Sequence, residues 1–396
     1  MTAPSGTPAP TEPAPTEPAL AQSGPDLLYS EPEADLRAAV RSLLTDRGGP
    51  AAVLADLEGG RACDTGLWRS LAADMGTAGL LVPEKLGGQG ASAREAAVVL
   101  EELGRAVAPV PYLTSAVLAV TALLGCETDR PEVTAPLAAL AEGRGVGVLA
   151  VPLPTAPGTL PEPSVRADAD GALSGEVTGV ADAAAADVLL VPADGPYGYA
   201  LYAVDATADG VRAEPGTPLD LTRVPGRVTL DRAAGRLLAG QDTARAAVTG
   251  ALLAGAGLLA SEQLGIAEWC LDETVRHTAQ RTQFGRPVGS FQALKHRMAA
   301  LWLDVASARA AARNAADALA TGSPDAPVAV AVAQAYCAPV AVRAAEECVQ
   351  LHGGIGMTWE HPAHLFLKRA KADEIALGTP GRHREALAGL VDLPAP

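Results

Sequence analysis

Between Arg281 and Gln292 the chain reads Arg-Thr-Gln-Phe-Gly-Arg-Pro-Val-Gly-Ser-Phe-Gln. One short turn thus gathers the guanidinium of Arg281, the amides of Gln283 and Gln292 and the ring of Phe284. That combination suits a ligand carrying both phosphates and flat rings. A helix-to-helix turn with a capping arginine explains the same residues without a ligand. Further on, Gln350-Leu-His-Gly353-Gly354-Ile-Gly356 joins an amide to paired glycines. Such glycines let backbone approach a ligand closely and present N–H groups to phosphate or ring atoms; a glycine-rich helix C-cap also accounts for them. His361 and His364 have a spacing that suits a metal, but Pro362 stands between them and no third ligand follows at a sensible spacing, so no metal is expected. Arg343, Glu346 and Glu347 read as a solvated helix face.

Both turns need long helices to hold them. Apolar residues recur at helical spacing from Ala244 to Gln280, Phe291 to about Thr321, Val328 to Leu351 and His361 to Ala376, with a last turn or two from Arg382 to Val391. Long antiparallel helices joined by short loops make a four-helix bundle. The N-terminal part is helical too. Leu36, Val40, Leu43 and Leu44 share one helix face, Leu67, Trp68, Leu71 and Met75 share another before Gly76, and the helix carrying Val98 to Leu103 is expected to stop at Gly104. Between about Arg144 and Ala239 the period shortens. Val146 to Val151, Val188 to Val191, Ala200 to Val204 and Arg227 to Leu230 are β-favouring runs between Gly, Pro and Asp turns, which implies a sandwich or barrel. The expected fold class is α+β, mostly α: a tail over residues 1–30, a helical domain over 31–142, a β domain over 143–240 and a helical bundle over 241–396.

With 396 residues, 48% hydrophobic and only 3% aromatic, the chain can build a large aliphatic core. A formal charge of −16 argues against nucleic acid as a partner, because phosphate backbones need clustered Lys and Arg. A small anionic ligand needs only a few basic residues gathered locally. Cys63, Cys126, Cys270, Cys337 and Cys348 are odd in number and lack CxxC spacing, so they are expected as buried thiols in a reducing cytoplasm. Residues 1–25, dominated by Pro, Ala, Thr and Glu, are expected to be disordered and lack the pattern of a signal peptide. No apolar run is expected to reach the roughly 20 residues of a membrane span, since Gly, Asp, Glu and Arg interrupt each one.

Trp68, Gly76, Gly79, Val82-Pro83-Glu84, Gly87-Gly88-Gln-Gly90, Glu101-Glu102-Leu103-Gly104-Arg105 and Pro111 together resemble the N-terminal helical domain of the acyl-CoA dehydrogenase family. Helices, then strands, then a helical bundle is also that family's order, so the resemblance covers about residues 31 to 393. It implies FAD. In the family an Arg-x-Gln-Phe-Gly turn and a following Phe-Gln contact the FAD bound mainly by a neighbouring subunit, and a Gln-x-x-Gly-Gly element touches the same flavin. Arg281, Phe284, Gln292, Gln350, Gly353 and Gly354 stand at the matching places, so the resemblance favours the ligand over the capping explanations.

The reaction expected of the family removes a proton beside a thioester and passes hydride from the next carbon to flavin, which requires a carboxylate base poised over the acyl-CoA substrate. Many members carry it in a Glu-Gly-Thr triplet near the C-terminus; here the triplet is Leu377-Gly378-Thr379. Others place it on the first long bundle helix, where counting back from Phe284 arrives near Gly255, in a window from Ala251 to Ala260 without Asp or Glu. The nearest carboxylates, Glu262 and Glu268, lie roughly two helical turns or more downstream. The family's Thr-Glu-Pro and Gly-Ser-Asp loop and its Trp-Ile-Thr strand are replaced by Val151-Pro-Leu-Pro-Thr-Ala-Pro-Gly158 and Val177-Thr-Gly-Val-Ala-Asp182. The chain thus resembles the non-catalytic partner in heteromeric α2β2 bacterial acyl-CoA dehydrogenases, a type associated with steroid side chains or other bulky CoA thioesters. The resemblance implies a cytoplasmic subunit sharing FAD with a homologous subunit that carries the base. The alternatives are an active homomeric dehydrogenase with Glu262 or Glu268 as displaced base, and a scaffold with no role at any flavin.

Overall fold

The computed structural model describes residues 26–58, 63–160 and 162–393. The tail expected over residues 1–25 lies outside them. Residues 26–30, expected to belong to that tail, are instead held to the folded body. The Tyr29 hydroxyl donates to Glu101 at 2.5 Å, and Arg94 and Arg313 donate to the Leu28 carbonyl at 2.8 and 3.4 Å. Polar pairing does this work, and composition does not reveal it.

Ser30 opens α1 (Glu31–Asp46) with a capping box, its hydroxyl accepting from Glu33 N while Glu33 accepts from Ser30 N at 2.7 Å. The N-terminal helices continue with α2 (Gly49–Glu58), α3 (Thr65–Arg69), α4 (Ala93–Ala106), α5 (Val120–Leu124) and α6 (Pro131–Ala141). Two widened helical segments, Ser70–Asp74 after α3 and Tyr112–Ala119 before α5, complete this part.

The strands are β1 (Gly147–Leu149), β2 (Val165–Ala167), β3 (Ala172–Ala181), β4 (Val188–Gly195), β5 (Gly198–Asp205), β6 (Val211–Pro215), β7 (Pro225–Ala234) and β8 (Arg236–Gly240). They form one sheet in the order β6-β7-β3-β2-β4-β5-β8, with β1 parallel to β4. The four β-favouring runs fall in β1, β4, β5 and β7. Strand β3 escapes a period-two reading because its register with β7 slips between Leu173 and Gly175 and again between Thr178 and Val180.

The C-terminal part is built on α7 (Gln241–Gln280), whose 40 residues span about 60 Å. A hairpin of β9 (Thr282–Gln283) and β10 (Arg286–Pro287) leads to α8 (Gln292–Ala320), followed by α9 (Ala326–His352), α10 (Ala363–Asp373) and α11 (Pro380–Leu390). Thr379 caps α11, which is longer than the expected turn or two. Helix α4 does not stop at Gly104; it runs on to Ala106, where Val107 turns left-handed. Gly104 serves close approach instead. A Cβ there would lie 2.2 Å from the Glu262 carbonyl oxygen of α7, and one on Gly265 would lie 1.9 Å from the Glu101 carbonyl oxygen, so α4 and α7 touch backbone to backbone.

Helix α7 and the segment 326–357 are long and apolar enough to cross a membrane, contrary to the expectation that every apolar run is interrupted. Their most apolar windows are 61% and 67% buried within the protein, as core helices are. Helix α8 differs, leaving Trp302 and Leu303 60% and 61% exposed.

Candidate functional site

The turn from Arg281 to Gln292 projects from the end of the bundle. Gln283 pairs with Arg286, so Phe284 and Gly285 form the two-residue tip, and both have positive φ, 52° and 74°. Such a tip matches strand twist, but an aromatic residue in the left-handed region is strained. Phe284 is nonetheless 89% exposed. Its ring meets Phe291 edge-on at 6.1 Å, and the Arg286 guanidinium lies 3.9 Å over the Phe291 ring. Arg281 and Gln292 are exposed at the end of α7 and the start of α8.

Gln350, Gly353 and Gly354 are exposed at the end of α9. Gly353 takes φ 63°, which closes the helix, and a Cβ on Gly353 or Gly354 would meet nothing within 4 Å. The His277 and His352 rings pack at a tilt of 34° with centres 4.1 Å apart, joining the last turns of α7 and α9. The base of the hairpin and the glycine turn therefore share one end of the bundle, open to whatever docks there.

Leu377 is fully buried, with φ 54°. A Cβ on Gly255 would lie 3.1 Å from its Cδ1 and 2.4 Å from Leu118 Cδ2, so Leu377, Gly255 and Leu118 meet at one dry apolar point. The Leu377 N–H donates to the Leu153 carbonyl at 2.7 Å, and Leu153 N–H donates to the Gly179 carbonyl at 2.8 Å. Loop 151–158 is thereby tied both to β3 and to the turn before α11. An apolar cavity of about 350 Å³ lies beside it, lined by Pro157, Leu253, Val330, Ala331 and Leu390 among others. Among the described residues that line it, the one titratable group, His383, has Nε2 engaged with the Leu377 carbonyl at 2.9 Å.

Glu262 is 1% exposed and accepts from Arg223 Nη2 at 2.7 Å and Arg369 Nη1 at 2.5 Å. Burial pushes its carboxyl up, but the two guanidiniums outweigh that and hold its pKa below the ordinary value. Arg223 also donates to Asp373 at 2.8 Å and Arg369 to Asp220 at 2.5 Å, closing a buried network across α7, α10 and the loop before β7. Glu268 is likewise buried and pairs with Arg105 at 3.0 Å, Arg309 at 2.5 Å and Arg37 at 3.5 Å.

Family models for the acyl-CoA dehydrogenase N-terminal and C-terminal domains match residues 30–140 and 244–390. The chain belongs to the acyl-CoA dehydrogenase family. It is 36% identical to the acyl-CoA dehydrogenase IpdE2 of Mycobacterium tuberculosis over 355 residues, covering 90% of this chain and 95% of that protein. Among solved structures, a chain of the ChsE4-ChsE5 complex from Mycobacterium tuberculosis superposes with a TM-score of 0.81 at 31% identity, covering 93% of this chain and 100% of that one. A chain of the Tcur3481-Tcur3483 steroid ACAD, a G363A variant, gives 0.79 at 30% identity over 91% and 98%.

Within this acyl-CoA dehydrogenase chain, three features of the site were not legible beforehand. Leu118 reaches the Gly255–Leu377 contact from a segment whose residues are all buried, so its pattern does not single it out. Arg223 has no partner near it in sequence. His361 turns away from the pairing with His364 that its spacing suggests and instead faces His352, 4.4 Å between ring centres, and Glu273.

Proposed function

We propose that this chain is the non-catalytic subunit of a two-chain acyl-CoA dehydrogenase, working with a homologous subunit that carries the base for α,β-dehydrogenation of an acyl-CoA thioester. One observation carries the reading: Leu377 and Gly255, at the two places where the family keeps its carboxylate, pack on one another and on Leu118 without a proton acceptor between them. The displaced-base alternative is weakened by the arginines that occupy both oxygens of Glu262 and of Glu268.

FAD supplies hydride acceptance when bound. This chain's share is to reach across the interface. Arg281 would pair with the pyrophosphate of flavin held chiefly by the partner, with Phe284 and Gln292 beside it, and the Gln350, Gly353 and Gly354 turn would bring amide and backbone N–H groups to it. The residues fit that role, since the hairpin tip holds an exposed strained aromatic ring and the glycine turn leaves open space where side chains would stand. The chain's own flavin cleft is vestigial in this reading, with loop 151–158 bonded to the Leu377 turn. The exposed Trp302 and Leu303 of α8 belong to the subunit contact. Two-protein neighbours, one a steroid ACAD, support a heteromer acting on a steroid-derived or similarly bulky thioester.

The test is to purify the chain alone and with its co-encoded homologue. The chain alone is expected to be colourless and the complex yellow, with acyl-CoA bleaching the flavin; Arg281→Ala is expected to lower FAD content. A yellow chain that bleaches by itself rejects the partner reading. Unchanged FAD in the Arg281→Ala complex rejects the donated contacts in favour of a scaffold.

A further inference from the structure

Glu273 of α7, His352 at the end of α9 and His361 before α10 converge where three elements meet. Their ligand atoms all lie within 4.8 Å of one another. Glu273 Oε1 is 3.6 Å from His352 Nε2 and 3.5 Å from His361 Nε2. Two ligands at about 2.0–2.1 Å from a tetrahedral zinc ion stand roughly 3.3 Å apart, so the two Glu273 edges shorten by a few tenths of an ångström, and the third edge, between His352 and His361 and within 4.8 Å, closes by rotation of the partly exposed His361 ring.

The histidine at the centre is prepared for a metal in a second way. His352 Nδ1 lies 2.6 Å from the Cys348 carbonyl, which can only accept, so Nδ1 carries the proton and Nε2 presents its lone pair. This N–H to backbone carbonyl bond is how proteins fix the tautomer of a ligating histidine. Among the described residues His352 Nε2, which is buried, finds no hydrogen-bond partner, an arrangement that wastes a lone pair unless something fills the gap. The His277 ring packs against His352 at 4.1 Å and holds its plane.

We propose that Glu273, His352 and His361 form a binding site for a divalent transition-metal ion of the zinc type, with a fourth position left to water. Its role is structural: it ties α7, α9 and the approach to α10 together directly beneath the Arg281–Gln292 hairpin and the Gly353–Gly354 turn. Two rearrangements accompany entry. The Ala363 N–H donates to His361 Nδ1 at 3.2 Å, so the His361 proton sits on Nε2; on binding it moves to Nδ1, giving up that long contact. Glu273 Oε1 now accepts from Arg276 Nη2 and exchanges that bond for the metal, while Oε2, 2.8 Å from Arg276 Nε, keeps the ion pair. Because both imidazoles must be neutral, affinity falls as pH drops below the histidine range.

The experiment uses the untagged full chain, stripped with a chelator and titrated with Co²⁺ at pH 7.5, then with Zn²⁺. One equivalent of Co²⁺ per chain is expected to give the visible band of a four- or five-coordinate ion, and Zn²⁺ to bleach it. His352→Ala and His361→Ala are each expected to abolish the band, Glu273→Gln to weaken binding at least tenfold, and the exposed His296→Ala to leave it unchanged. No one-equivalent band in the native chain, or a band that survives His361→Ala, overturns the proposal. His361 is partly exposed and keeps the test decisive should the buried His352→Ala chain misfold, which circular dichroism reports.

Discussion

Glu262→Gln separates a structural carboxylate from a displaced catalytic base. Glu262 joins Arg223 and Arg369 through charge-assisted bonds of 2.7 and 2.5 Å inside a buried network that also holds Asp220 and Asp373. Gln preserves shape and an acceptor but removes the charge. One guanidinium keeps a bond to the Gln carbonyl oxygen that is weaker by roughly 1 kcal/mol, while the other faces the amide NH2, which cannot accept, and is left with an unpaired buried donor at about 1–3 kcal/mol, so the direct cost is about 2–4 kcal/mol. Asp373 limits further loss. Burial first, and then the Glu262 charge, keep its pKa well above the ordinary value; with Glu262 neutral, the second cause disappears and the two guanidiniums shift Asp373 toward its ionised form. Glu262→Ala gives no such relief to the geometry, leaves both arginines without their shared acceptor, and is expected to cost about 3–5 kcal/mol. Urea unfolding at constant m-value measures both. In the two-chain complex, flavin reduction by acyl-CoA is expected to survive Glu262→Gln, whereas loss of a general base costs roughly 10²–10⁴ in rate. A Glu262→Gln chain of unaltered stability whose complex loses flavin reduction on that scale refutes the reasoning.

Three other outcomes follow from the same physics. Leu377→Glu is expected to give no dehydrogenase activity in the chain alone, because a carboxyl in the dry contact with Leu118 and Gly255 stays protonated; single-turnover flavin bleaching with acyl-CoA checks it. Glu33, whose burial raises its pKa but whose bonds to Arg94, Ser30 N and Arg313 bring it from 4.5 down to about 2, contributes stability that is complete above pH 4.5 and lost as pH falls toward 2. That contribution is roughly 3 kcal/mol, and Glu33→Gln is expected to flatten this part of the acid-unfolding curve. Gly265→Ala places a methyl 1.9 Å from the Glu101 carbonyl oxygen and is expected to cost about 1–3 kcal/mol or more, whereas Gly250→Ala, on the same helix with nothing within 4 Å, is expected to stabilise by up to about 1 kcal/mol; thermal midpoints rank them.

The sequence by itself determined the family and the order of helices, strands and bundle. Those properties are local. Periodicity records which face of a helix is buried, and residue types such as Leu377 before Gly378-Thr379 are read without coordinates. The exposed tip at Phe284 and the glycine turn at Gly353 were legible for the same reason, because a turn motif carries its own geometry.

What tertiary structure decided is who meets whom. That Gly255 and Leu377, over a hundred residues apart, fill one spot with Leu118, and that Glu262 belongs to Arg223 and Arg369, depends on how α7, α10 and the segment before α5 pack. Gly104 looked like a stop signal because glycine disfavours helix; only the approach of α7 reveals that it is there to be small. Likewise the spacing in sequence paired His361 with His364, three residues away, while the fold pairs it with His352 and Glu273 from two other helices. Sequence spacing governs neighbours along one helix, and the long-range partners of a buried polar group are set by the packing of separate helices, which no local pattern encodes.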